Sequence, residues 1–206
     1  MKKIEIKNKE LSNLLEDFSG WFESIDKSKI KLKGKSDFLS DEYFTTIEYL
    51  ATINEKKHLG WPESTYGIDL EAVEVMPLEW RKEITDIDND LKLILSSPNC
   101  AVKMYYPKEG YMGWHNNHNA AGYNILLSYT KNGKGFFRYK DPITHEIITM
   151  NDEPGWTAKV GYFGSNKEPD KLYWHCARAH EDRLTLGFVI PDKNMWEMMS
   201  EDIQDQ

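Results

Sequence analysis

Cysteine is scarce in this chain: 206 residues carry only Cys100 and Cys176. Two are too few for a disulfide framework, and these two lie too far apart for a zinc knuckle. A reducing compartment is the simpler setting. No apolar run approaches the length of a membrane-spanning helix. The basic start MKKIEIKNKE also lacks the apolar stretch of a secretory signal. These absences predict a soluble, cytoplasmic protein with no membrane partner. Positive charge is short as well, with 26 Lys and Arg against 34 Asp and Glu and a net charge of −8. An acidic chain exerts no overall pull on phosphate backbones, so extended nucleic-acid binding is not expected. Internal repeats and low-complexity segments are missing too.

Apolar residues make up 40% of the chain and aromatics 13%, which excludes disorder and supplies a core. The length suits a single domain over 1–206. Residues 1–98 read as mainly helical. The first 35 are Lys-rich, nine Lys against six acids, most simply a solvated face, and Lys27 to Lys35 reads as a linker or exposed strand. Leu11, Leu14, Leu15, Phe18 and Phe22 fall at helical spacing. Ser40 is a candidate N-cap, with Asp41 and Glu42 behind it. The helix it would start buries Phe44, Ile47, Leu50 and Ala51 and ends near Gly60. Pro77 suits the first turn of a third helix, whose stripe is Ile84, Ile87, Leu91, Ile94 and Leu95.

After Pro98 the apolar period changes from 3.6 to 2. Cys100–Tyr106, Tyr123–Thr130, Gly135–Lys140, Glu146–Met150, Trp156–Phe163, Leu172–Ala177 and Leu184–Ile190 read as short strands separated by turn chemistry. Even spacing of this kind predicts an antiparallel sandwich or barrel over 99–191. The fold class is therefore α+β. A C-terminal tail, 192–206, holds enough apolar residues around Trp196 for a short docked helix, with loose acidic residues at its end.

The stretch from Tyr105 to Tyr129 concentrates the chemistry. A bend at Gly110 and Gly113 leads into His115-Asn116-Asn117-His118-Asn119, and a β-rich run follows. Imidazoles held between strands suit a metal site, because rigid strands fix ligand geometry. Either His115 or the distant His175 by itself reads as a hydrogen-bonded core histidine. Together with Arg183 they read as a site. His58, His145 and His180 read as surface or loop residues, Cys176 as a small core residue, and Arg138 as a surface cation that could alternatively meet an anionic substrate.

In order, Tyr106, Gly110, His115-Asn116-Asn117, His175 and Arg183 resemble the motif of the iron(II)- and 2-oxoglutarate-dependent oxygenases, the prolyl-hydroxylase-like members among them. The separations, nine residues from Tyr106 to His115, 60 to His175 and eight to Arg183, match that family's habit. The likeness covers about Cys100 to Ile190. It implies a double-stranded β-helix (jelly-roll) core with N-terminal support helices, and Fe(II) and 2-oxoglutarate as cofactors. It further implies hydroxylation of a small-molecule or peptide substrate with release of succinate and carbon dioxide. His115, Asn117 and His175 would hold the metal. Arg183 would clamp the far carboxylate of 2-oxoglutarate with a planar fork, with Thr185 and Tyr106 as further donors to it. The chain also resembles small phage-type oxygenases, which implies action in a host cytoplasm.

One departure stands out: the family's metal acid is Asn117 here, a neutral and weaker ligand. A shifted register, His118-Asn119-Ala120, resembles the H-x-A form of the family's halogenases. The spacing from the bend and the adjacent Trp114 favour His115. Two readings therefore stand beside the hydroxylase: a non-catalytic binding protein on the same barrel, and a metalloenzyme of cupin type that needs no 2-oxoglutarate. Arg183 speaks against the latter, which has no use for a dicarboxylate clamp.

Overall fold

The computed structural model describes residues 1–30, 42–56, 58–72 and 74–205. Its helices are α1 (Lys9–Ser24), α2 (Ile47–Glu55), α3 (Leu78–Ile94) and α4 (Lys193–Asp202). The first three strands are short: β1 (Lys2–Ile4), β2 (Thr65–Tyr66) and β3 (Ile68–Asp69). Eight longer ones follow: β4 (Cys100–Tyr106), β5 (Tyr111–His115), β6 (Gly122–Thr130), β7 (Gly135–Lys140), β8 (Ile147–Asn151), β9 (Gly155–Phe163), β10 (Trp174–Ala179) and β11 (Arg183–Ile190). They form two sheets with antiparallel pairing throughout, in the orders β1-β9-β6-β11-β4-β3 and β2-β5-β10-β7-β8.

Alternation along the strands divides each sheet into two faces. On the larger sheet, Ile125, Leu127, Val160, Leu184, Leu186 and Phe188 face outward. They pack with Leu11, Leu15, Phe18 and Phe22 of α1 and with Trp80, Ile84 and Leu91 of α3. Burying a Leu or Phe side chain fully stabilises by about 1.5–3 kcal/mol, so this layer is the main apolar core. On the smaller sheet, Trp114, Trp174 and Cys176 face outward beneath Tyr49, Leu50 and Ile53 of α2. Between the sheets, Leu126, Phe137, Tyr139, Phe163 and Tyr173 form an aromatic-rich layer. That inner layer is where polar residues also collect.

The seven strands read from the pattern are present, with ends shifted by no more than two residues. An eighth, β5, occupies the stretch expected to be a bend. Only Pro107–Gly110 turns there, the Gly110 N–H donating to the Pro107 carbonyl at 2.6 Å. Gly113 serves close approach instead: its N–H donates to the Ser64 carbonyl at 3.1 Å, and an added Cβ would stand 2.9 Å from that oxygen. Residues 1–98 also supply three edge strands, which helical periodicity cannot reveal.

The second helix differs from expectation in start and phase. The proposed cap, Ser40-Asp41, lies outside the described residues, as does most of Lys27–Lys35. Glu42–Thr45 form a 3₁₀ turn, and Thr46 caps α2 by accepting from the Tyr49 N–H. The Thr46 carbonyl is held by the Trp114 indole N–H at 2.8 Å. That anchor sets the helical phase, so Tyr49, Leu50 and Ile53 are buried while Ile47 and Ala51 are exposed. Pro77 sits at the N-cap of α3, one residue before the helix. The C-terminal tail is tied down rather than loose. The Ile203 carbonyl accepts from the Lys7 and Asn8 N–H groups at 2.8 and 3.1 Å, and the Ile203 side chain is buried. No helix among the described residues is long and apolar enough to cross a membrane.

Candidate functional site

A cavity of about 340 Å³ opens between the sheets. His115, Asn117, His175, Arg183, Tyr106 and Thr185 all line it. Arg183 is the one charged side chain among its described lining residues.

His115 and His175 are direct cross-strand partners on β5 and β10, with ring centroids 4.1 Å apart. A bulge makes this possible. Between His115 and Met112, two residues of β5 (Gly113 and Trp114) oppose the single Cys176 of β10. The extra residue reverses the alternation, so Met112 and His115 both face the cavity while Trp114 faces α2. A regular strand would have turned His115 outward.

Each imidazole is oriented by its own backbone. Nδ1 of His115 lies 2.9 Å from the Gly113 carbonyl and Nδ1 of His175 lies 3.1 Å from the Tyr173 carbonyl. A carbonyl only accepts, so both Nδ1 atoms carry the proton and both Nε2 lone pairs are left for another partner. Burial lowers the His115 pKa to about 4. Burial, with His115 beside it, holds His175 well below its ordinary value. Both rings are therefore neutral at pH 7, the state in which imidazole binds a metal. His175 is also packed among aromatic rings, 4.8 Å from Phe163 and 5.7 Å from Phe137 between centroids. It is a wall of the cavity, so truncating it to alanine would remove packing as well as the imidazole nitrogens.

Beyond the two imidazoles, acidic donors are missing. Among the described residues, no group of three His, Cys, Asp or Glu side chains converges as a metal site. The remaining candidate donor is the half-buried Asn117 carboxamide. Asn116 is committed to the backbone around it. Its Oδ1 accepts from the Gly60 N–H at 3.2 Å and the His118 N–H at 2.9 Å, holding the 116–118 segment to the 58–61 loop. His118 has a left-handed φ of 50° and is not among the residues lining the cavity, whereas Ala120 is.

At the other end, Arg183 is almost fully buried. Its Nε and Nη2 donate to the two oxygens of Asp152 at 2.8 and 3.3 Å, Nη2 also donates to Ser128 at 3.1 Å, and Nη1 donates to Thr185. Lys159 reaches the same Asp152 at 3.4 Å and Thr157 at 3.1 Å. Burial works to raise the Asp152 pKa, and the two cations overcome it, leaving it below the usual carboxylate range. Burial lowers the Lys159 pKa to about 8, with Asp152 pulling the other way. Tyr106 lies under the Arg183 guanidinium, 5.8 Å from ring centroid to Cζ, and burial pushes its hydroxyl up to about 12.

Sequence reading missed Asp152, Lys159 and Ser128. Asp152 lies in the turn chemistry, Asn151-Asp152-Glu153-Pro154-Gly155, between the strands expected at Glu146–Met150 and Trp156–Phe163. Lys159 did leave a trace, a cation at an alternate position of a strand covered on both faces. Other residues fall where solvent or packing governs them. Arg138 lies over Phe136 and donates to the Thr45 carbonyl at 2.9 Å, a structural role outside the cavity. Cys176 is buried beneath α2. Trp61, 77% exposed, stands at the mouth and lines it.

Neither a family model nor a curated protein matches the chain. Among solved structures it is similar to a prolyl-4-hydroxylase from Pseudomonas putida. The identity is 13% and the TM-score 0.33, over 74% of this chain and 88% of that one.

Proposed function

We propose that the chain is an Fe(II)- and 2-oxoglutarate-dependent oxygenase of hydroxylase type, acting on a small molecule or a peptide side chain. The observation that carries this reading is the pair of neutral, pre-oriented imidazoles at one end of a cavity whose other end holds a buried arginine. The central strand orders, β9-β6-β11-β4 and β5-β10-β7-β8, support a double-stranded β-helix as the frame.

The donor set fits a divalent cation that prefers nitrogen and oxygen ligands. His115 and His175 would contribute Nε2, and Asn117 would contribute a neutral carboxamide oxygen. Fe(II) and 2-oxoglutarate bound there supply the oxidant for C–H hydroxylation, with succinate and carbon dioxide released. The chain's own share is binding and exclusion. Arg183 and Thr185 receive a carboxylate, Tyr106 covers the guanidinium, and Phe137 and Phe163 keep water from the His175 side of the cavity. Substrate would enter past Trp61 and Asn117.

Two observations favour a second reading, a binding protein on the same frame. Asn117 gives the metal no charge, and the fork of Arg183 is already engaged by Asp152. Anaerobic titration with Fe(II) and 2-oxoglutarate separates the readings. The oxygenase gives a weak visible charge-transfer band, which His115→Asn removes; asparagine can keep an N–H on the Gly113 carbonyl and so spare the fold. A folded parent with no band at saturating iron and cosubstrate belongs to the binding reading.

A further inference from the structure

The interior holds more positive than negative charge at one point. Asp152 brings a single carboxylate to two cations, Arg183 and Lys159, and both reach its Oδ1, at 3.3 and 3.4 Å. All three side chains are at most a few per cent exposed. Their hydroxyl neighbours Ser128, Thr157 and Thr185 are neutral. Lys3, across from Lys159 on β1, is another cation, and it pairs outward with Glu153. With both cations protonated the cluster carries one net positive charge. A buried charge without a partner is costly, and it is relieved by gaining a counter-ion or by losing a proton. Arg183 does not lose protons. Lys159 can; it does not line the cavity itself, and it reaches the cavity wall through Asp152, which it shares with Arg183, and through Thr157, whose hydroxyl donates to the Ser128 carbonyl at 3.3 Å.

We propose that Asp152 and Lys159 make the Arg183 end of the cavity a proton-linked subsite for one carboxylate, with Lys159 taking up a proton as the anion docks beside Arg183. Asp152 is then a positioning residue: it holds the guanidinium flat, and it transmits the charge of the ligand to the lysine. The subsite rests on the oxygenase reading only for the identity of its ligand, 2-oxoglutarate. Two consequences follow from the charge count. Monoanionic groups are preferred over dianionic ones such as phosphate, and affinity falls at alkaline pH, where the free site has already lost its proton.

The test is calorimetry of 2-oxoglutarate binding to the protein loaded with redox-silent Mn(II), in pairs of buffers with different ionisation enthalpies. With a free Lys159 titrating at about 8 and a bound one near the ordinary lysine value, roughly 0.9 proton is taken up per ligand at pH 9. Affinity at pH 9 is about tenfold weaker than at pH 7. Lys159→Met abolishes both effects and binds weakly. Lys159→Arg keeps the charge and binds with little pH dependence. Equal proton uptake and equal pH dependence in the parent and Lys159→Met overturn the proposal. If 2-oxoglutarate does not bind the parent at all, the oxygenase reading fails, and the subsite is judged with acetate. The Lys159 amine is then followed by nitrogen NMR in lysine-labelled parent. A midpoint that rises on adding acetate sustains the subsite, and an unmoved midpoint overturns it.

Discussion

Replacing Asp152 with asparagine tests whether the fold depends on the charge at the floor of the cavity. The substitution keeps the shape of the side chain and one acceptor oxygen, but removes the only negative charge of the cluster. Arg183 loses a bidentate partner whose closest contact is 2.8 Å, and Lys159 loses its ion pair at 3.4 Å. Leaving a buried charge unpaired costs about 3–5 kcal/mol. For a chain of this length that lowers the melting temperature by roughly 6–20 °C. The cost depends on pH, and the sign follows from Lys159. Burial depresses its folded pKa to about 8, so between about pH 8 and the ordinary lysine value the unfolded chain binds a proton that the native chain does not. Parent stability contributed by this group therefore rises with pH across that window, by up to about 1.4 kcal/mol per pH unit. Without Asp152 the lysine loses its proton at lower pH, so the Asp152→Asn deficit shrinks as pH rises through about 8 and is constant above it, where Lys159 is neutral in both proteins and only Arg183 remains unpaired. Urea denaturation followed by tryptophan fluorescence at pH 7 and pH 9.5 measures both quantities. Asp152→Asn combined with Lys159→Met should recover more than about 1 kcal/mol relative to additivity. A single variant within about 1 kcal/mol of the parent at pH 7, or no coupling in the double variant, would refute the reasoning.

Asn117→Asp should tighten Fe(II) binding and raise succinate formation in the absence of added substrate. Ala120→Asp tests the alternative register, and whichever variant gains affinity in a metal titration identifies the ligand position. Arg183→Lys keeps the charge balance but loses the planar fork, so 2-oxoglutarate affinity should fall by about tenfold or more at little cost to Fe(II) binding; unchanged cosubstrate affinity would move the clamp elsewhere. Gly113→Ala drives a methyl group to 2.9 Å from the Ser64 carbonyl and 3.3 Å from Phe44. Stability should drop by about 1–3 kcal/mol, with metal affinity falling too because His115 shares the same bulge; denaturation and metal titration of a variant matching the parent in both would show that the bulge tolerates a side chain.

The sequence by itself determined the layers. Period-3.6 stripes at Leu11–Phe22 and Ile84–Leu95, followed by period-2 runs after Pro98, are local records of which face each element buries, and burial is what patterning encodes. It also singled out His115, His175 and Arg183, through the order and spacing in which they resemble the oxygenase motif, and Thr185, through alternation along the strand that Arg183 heads. Three things were decided only by the tertiary structure. Strand β5 and its bulge depend on a hydrogen bond from Gly113 to Ser64, 49 residues earlier, and glycine spacing alone reads as a turn. The phase of α2 depends on an anchor from Trp114 to the Thr46 carbonyl, a contact between segments 68 residues apart. The charge of the cavity floor depends on a turn residue, Asp152, folding inward under β11. An aspartate in a turn is ordinarily a solvated one, and only the presence of two buried cations stabilises it there.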